Sequence, residues 1–185
     1  MVVAQLPAVA RIHIETRRGH WPSDAGTRGL RHWLAQSPCC TAADLAVHAD
    51  GRRGCRTCGE WTSASHSDGV LALARSAHPV GIDVQLPRHR AAALRVLAAA
   101  SGVSSPGIGH WALAEATLKA LGQAGHRPSR LPLPSELAGE LRWEAESGEA
   151  LAGCVVDLAD RLDVPVGTML AVAWVVERRS VAEAW

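Results

Sequence analysis

Val80-Gly-Ile-Asp-Val-Gln85 is the segment that most narrows what this chain can fold into. Its apolar residues fall on every second position, the period of an extended strand, and Pro87 stops it shortly afterwards. Val80, Ile82 and Val84 project to one face and require a core. Gly81, Asp83 and Gln85 project to the other, so a carboxylate and a carboxamide stand side by side, with a glycine leaving room for something to approach.

The rest of the chain supplies partners for such a strand. Arg11–Glu15 alternates and reads as an opening strand. Ser23 or Asp24 caps a helix to about Gln36, with Leu30, Trp33 and Leu34 inward and Arg28 and Arg31 outward. Asp44–His48 is a candidate strand, Asp50-Gly51 a turn, and about 49–60 a polar loop containing Gly and Cys. Thr62–Ser67 and Val70–Ser76 read as strands around a tight turn at Asp68-Gly69. Helices are expected over Arg88–Ala100 and His110–Leu121, the second closed by Gly122. A loop covers 123–136, and strands follow at Glu140–Glu146, Gly153–Asp157 and Thr168–Glu177. Strands with two or three helices in each half give an α+β class. The expected division is an N-terminal half, 1–79, and a C-terminal half, 80–185, within one compact unit.

Composition removes several function classes. A chain of 185 residues that is 48% hydrophobic suits one domain with a proper core. A net charge of +1 with no basic run argues against a nucleic-acid partner. No long apolar segment is present to span a bilayer, and the first fifteen residues lack a signal-peptide pattern, so a cytoplasmic monomer is expected. Phe and Tyr are absent, and Trp21, Trp33, Trp143 and Trp174 read as core or rim fillers. Cys39, Cys40, Cys55, Cys58 and Cys154 are expected as reduced thiols. Cys55-Arg-Thr-Cys58 has half the spacing of a zinc ribbon. The adjacent pair Cys39-Cys40 is poorly shaped for a tetrahedral site, and His48 or His66 are the other ligands in principle. Zinc therefore ranks last among the metal readings.

One lysine, Lys119, stands against eighteen arginines. Where Arg is the default cation, a lone Lys points to a role that a compact ammonium fills and a planar fork does not. Trp111, Glu115 and Lys119 share a helix stripe at i, i+4, i+8, beside an apolar stripe of Ala114, Leu118 and Leu121. Packed on Val80–Gln85, this helix brings Asp83, Glu115 and Lys119 together. Oxygen ligands plus one cation suit Mg²⁺ and a phosphate.

These residues resemble a known family. Gly-Ile-Asp-Val-Gln85 followed by Trp111-Ala-Leu-Ala-Glu115-Ala-Thr-Leu-Lys119-Ala-Leu-Gly122 is similar to the paired motifs of the 4′-phosphopantetheinyl transferases, especially the larger surfactin-synthetase-activating (Sfp) type. That family carries Gly-[Val/Ile]-Asp-[Ile/Val]-Glu and then Trp-x-x-Lys-Glu-[Ala/Ser]-x-x-Lys-Ala-x-Gly. Upstream, Ser65-His66-Ser67-Asp68-Gly69 with Val70–Ala74 resembles its Ser-His-Ser-x-Gly turn and following strand. Cys55-Arg-Thr-Cys58-Gly59 resembles a Cys-x-x-Cys-Gly of actinobacterial members. The order and spacing match over most of the chain.

The resemblance implies two pseudo-twofold halves, each a small antiparallel sheet with helices, and coenzyme A bound between them. It implies transfer of phosphopantetheine from coenzyme A to a serine of an acyl or peptidyl carrier protein in polyketide or peptide biosynthesis, releasing 3′,5′-ADP. Asp83, Glu115 and Gln85 would hold Mg²⁺. Glu115 would help deprotonate the serine, and Lys119 and His66 would steady phosphate oxygens. Arg28 and Arg31 complete the candidate coenzyme A contacts.

Three positions depart from the pattern. Gln85 replaces the strand's second carboxylate, Ala114 replaces the lysine before Glu115, and the His-Gly-Lys/Arg-Pro segment after Cys-x-x-Cys-Gly is missing. Each removes a coenzyme A or metal contact. They support an alternative, a diverged relative acting on a small-molecule or carrier-bound intermediate, or a non-catalytic docking module for carrier proteins. A cysteine-based zinc module contacting nucleic acid is the third.

Overall fold

Strand alternation sets the layering. The computed structural model describes residues 10–126, 129–160 and 162–178; the expected absence of a leader in the first nine residues lies outside them. Within the described residues the chain runs β1 (Ala10–Thr16), α1 (Ala25–Ala35), β2 (Leu45–Val47), β3 (Arg53–Cys55), β4 (Trp61–Ser67), β5 (Val70–Ser76) and β6 (Val80–Gln85). It continues with α2 (Ala91–Ser101), α3 (Ile108–Ala120), β7 (Leu141–Glu144), β8 (Glu149–Asp157) and β9 (Met169–Arg178). The first five strands form one antiparallel sheet, ordered β1-β5-β4-β3-β2, and the last four a second, ordered β6-β9-β8-β7. The class is α+β.

On β5, Val70, Ala72 and Ala74 enter a core shared by both sheets, whereas Leu71 and Leu73 meet α1. On β9, Leu170, Val172 and Trp174 enter the shared core, and Ala171 and Ala173 meet α3. Val80, Ile82 and Val84 of β6 enter the shared core as their alternation requires. One helix thus covers the outer face of each sheet. Leu30, Leu71, Ile82, Leu113 and Leu170 are all but fully buried, each contributing about 2 kcal/mol.

The sheets are also joined at a strand edge. β6 ends its sheet, so half its backbone groups have no ladder partner. Ser63 and Ser65 of β4 fill the gap: the Ile82 N–H donates to Ser63 Oγ (3.1 Å) and the Val84 N–H to Ser65 Oγ (3.3 Å).

Several element limits differ from the sequence expectation. The 49–60 loop contains β3, a strand of three residues, too short to show a period. The strand expected from Asp44 starts at Leu45, because Thr41 and Asp44 cap each other in a 3-10 turn at Ala42–Asp44. α2 begins at Ala91 instead of Arg88, since the Arg88 N–H turns back to the Leu86 carbonyl (2.8 Å). Among the described residues the first half has one α-helix instead of two or three, because residues 37–60 form turns, a 3-10 turn and two three-residue strands. Among the described residues no helix is long and apolar enough to cross a membrane.

Gly81 fixes how closely α3 lies on β6. A Cβ there would fall 1.8 Å from the Ala116 carbonyl oxygen and 2.8 Å from the Ala120 nitrogen. Both obstacles are helix backbone, which cannot step aside. Gly81→Ala is therefore expected to destabilise the protein by about 3 kcal/mol, measured by urea denaturation. An unchanged midpoint would contradict this packing.

Candidate functional site

The close seating of α3 brings a cation onto the polar face of β6. Lys119 Nζ donates to the Ile82 carbonyl (2.9 Å) and to Asp83 Oδ1 (2.7 Å). Ser65 Oγ donates to the same Asp83 oxygen (2.8 Å), and Gln85 Nε2 donates to Oδ2 (2.6 Å). Asp83 is only 4% exposed, a burial that a carboxylate tolerates because every one of these contacts favours its charge. Lys119 thus pairs across to the strand, and its bond is to Asp83 instead of the i,i+4 Glu115. Gly81 leaves room for the helix itself.

Glu115 lies one turn before Lys119. Burial and the neighbouring Asp83 carboxylate hold its carboxyl above the usual range, and Lys119 and Arg90 offset part of the rise. It borders an apolar cavity of about 500 Å³ between α2 and α3, lined by Val96, Leu97, Trp111, Ala114, Leu118 and Leu131. Ala114 opens onto this cavity.

A cleft of about 370 Å³ lies at the end of β6, lined by Asp83, Gln85, Ser65, His66, Arg90 and Trp21, among others. Three buried side-chain atoms of this lining have no hydrogen-bond partner among the described residues: Trp21 Nε1, Gln85 Oε1 and Arg90 Nε. Such orphans are uncommon in folded proteins, and here two donors and one acceptor share one cleft. Of the expected Mg²⁺ ligands, Asp83 and Gln85 line this cleft, whereas Glu115 borders the apolar cavity; oxygen groups of this kind are what Mg²⁺ takes. The unpartnered Gln85 oxygen is the atom such a cation would satisfy. A third, smaller space of about 140 Å³ is lined by Lys119, Arg52, Arg53 and Thr62, among others, so Lys119 and Glu115 each border a space other than the cleft that Asp83 lines.

His66 stands apart from Ser65. The β4–β5 register pairs Ser65 with Ala72 and His66 with Leu71, so His66 projects to the α1 face while still bordering the cleft. Arg28 is exposed and pairs with Asp24 at 3.3 Å, and Arg31 is exposed on the same helix; neither lines the cleft around Asp83. Arg90 and Arg88 stand there, Arg88 paired with Asp68. The sequence placed Ser65 only within the Ser-His-Ser-x-Gly motif and Trp21 only among the fillers, and it gave Arg90 no role; the signal for Ser65 as a partner of β6 is its place two residues from Ser63 on the same strand face.

No protein-family model matches the chain, and no curated protein sequence matches it significantly.

Two outcomes are expected. Lys119→Met removes the cation from buried Asp83 and is expected to cost about 2 kcal/mol; adding Asp83→Asn should recover part of it, and strict additivity in the double-mutant cycle would refute the pairing. Unfolded, Glu115 ionises at its ordinary value; folded, it keeps its proton to higher pH. Stability attributable to Glu115 therefore falls as pH rises through that window, with the loss complete above the folded value. In urea titrations Glu115→Gln should gain on the wild type between acidic and neutral pH, and parallel pH profiles would count against the raised carboxyl.

Proposed function

We propose that this chain is a 4′-phosphopantetheinyl transferase, moving phosphopantetheine from coenzyme A to a serine of an acyl or peptidyl carrier protein. One observation carries the proposal: buried Asp83, fixed by Lys119 and Ser65, borders a cleft in which Trp21 Nε1, Arg90 Nε and Gln85 Oε1 lack partners among the described residues. Two N–H donors suit phosphate oxygens, and an oxygen acceptor beside a carboxylate suits a divalent cation. The cleft also lies where the two sheets meet, which agrees with two related halves and a ligand between them.

Mg²⁺ held by Asp83, Gln85 and Glu115 would neutralise charge on the pyrophosphate. The remaining work falls to side chains. Glu115, directly or through a water, takes the proton of the incoming serine. The serine oxygen forms a bond to the β-phosphorus as the bond to the α-phosphate bridge breaks, and 3′,5′-ADP leaves. Lys119, Arg90 and His66 steady the phosphate oxygens as charge redistributes.

A second reading has its own support. Ala114 and Glu115 border the apolar cavity between α2 and α3, which suits an apolar group near a proton-transferring carboxyl. In that reading Glu115 acts on a small-molecule or carrier-bound intermediate, or the cavity serves carrier docking alone.

Incubating an unmodified carrier protein with coenzyme A and Mg²⁺ should add the mass of phosphopantetheine, and Glu115→Ala should slow this by at least about a hundredfold. No mass gain across several carrier proteins, with no heat of coenzyme A binding, would overturn the transferase and leave the second reading.

A further inference from the structure

Four of the five cysteines meet far from this cleft. Cys39 and Cys40 follow α1, and Cys55 and Cys58 flank the turn between β3 and β4. The Cys39 and Cys40 sulfurs are 3.4 Å apart, and Cys55 Sγ lies 3.3 Å from Cys40 Sγ. The sulfurs of Cys39, Cys40 and Cys58 all lie within 4.8 Å of one another, and the Cys55 and Cys58 side chains are within hydrogen-bond reach. A tetrahedral zinc with Zn–S bonds near 2.3 Å needs sulfurs about 3.8 Å apart. Three of the sulfurs are already grouped near that size, and Cys55, joined to them through Cys40, must move closer to the rest to complete the tetrahedron.

The backbone around it is shaped for a metal-bound thiolate. The N–H groups of Thr57 and Cys58 donate to the Cys55 sulfur. The Gly59 N–H returns to the Cys55 carbonyl (3.0 Å), and Gly59 takes φ +72°, the left-handed turn that a Cys-x-x-Cys-Gly loop needs to curl both sulfurs to one side. Such N–H···S bonds orient ligands and stabilise the charge of a metal thiolate. Arg75, 2% exposed, places Nη2 4.0 Å from Cys58 Sγ and holds Glu60 with the same group (2.5 Å). A divalent ion with four thiolates carries net negative charge, and this buried guanidinium opposes it.

We propose that Cys39, Cys40, Cys55 and Cys58 bind one structural zinc ion. The site ties the end of α1 to the β3–β4 turn. It thereby supports the edge of the first sheet, where β2 and β3 have only three residues each. Zinc binding displaces the four thiol protons to solvent and involves no change of oxidation state. Its reach is structural; the cleft around Asp83 does not depend on it for ligands.

The full chain, purified reduced and without chelators, is expected to carry about one zinc per molecule by elemental mass spectrometry. Substituting cobalt should give the intense visible bands of a tetrahedral ion with a thiolate charge-transfer band. Cys55→Ser and Cys58→Ser should each weaken zinc by at least about tenfold, while Cys154→Ala, remote in the shared core, retains it. If the serine variants do not fold, the wild-type metal content and cobalt spectrum still decide. Zinc absent as purified and not taken up under reducing conditions, or cysteines recovered as disulfides by intact mass, would overturn the site.

Discussion

The free edge of β6 is the constraint on which the rest of this molecule depends. An edge strand buried between two sheets leaves backbone N–H groups with neither water nor a ladder partner, at a cost of about 1–3 kcal/mol each. Ser63 and Ser65 supply the missing acceptors to Ile82 and Val84. The two sheets are therefore locked in register by side chains where no strand pairing joins them. Ser65 does this while donating its own proton to Asp83. The contact that joins the halves also fixes the central carboxylate of the site.

From the opposite face, Gly81 has the complementary effect. Because α3 rests directly on the strand there, Lys119 reaches both the Ile82 carbonyl and Asp83 with a single ammonium. An arginine fork would offer more donors than this narrow place has acceptors. The compositional solitude of Lys119 has a geometric counterpart: the position needs a point donor.

Much of this was legible in the sequence, for identifiable reasons. The strict alternation of Val80–Gln85 fixed both its faces, and helical spacing put Glu115 and Lys119 on one stripe, so their convergence with Asp83 followed. What was missed lacked a periodic signal. Trp21 and Arg90 lie outside strands and helix bodies, in segments where neither spacing nor charge pattern says which way a side chain turns. β3 is too short for any period. Arg28 and Arg31 were placed by resemblance, and on α1 they remain exposed, one of them paired with Asp24. The cysteines show a different limit. Adjacent Cys39 and Cys40 read poorly as ligands along the chain, yet the turn that brings Cys55 and Cys58 beside them is tertiary.

The backbone contact at Gly81 also has a consequence for recognition. Strand, helix, ammonium and carboxylate form a single rigid body, with no slack to adapt to an arriving molecule. Trp21 and Arg90, whose buried N–H groups have no partner among the described residues, complete the lining of the cleft. A ligand held against such a preformed wall would order few side chains there, so little affinity would be lost to entropy. Tolerance of sequence change would be lowest along that rigid wall.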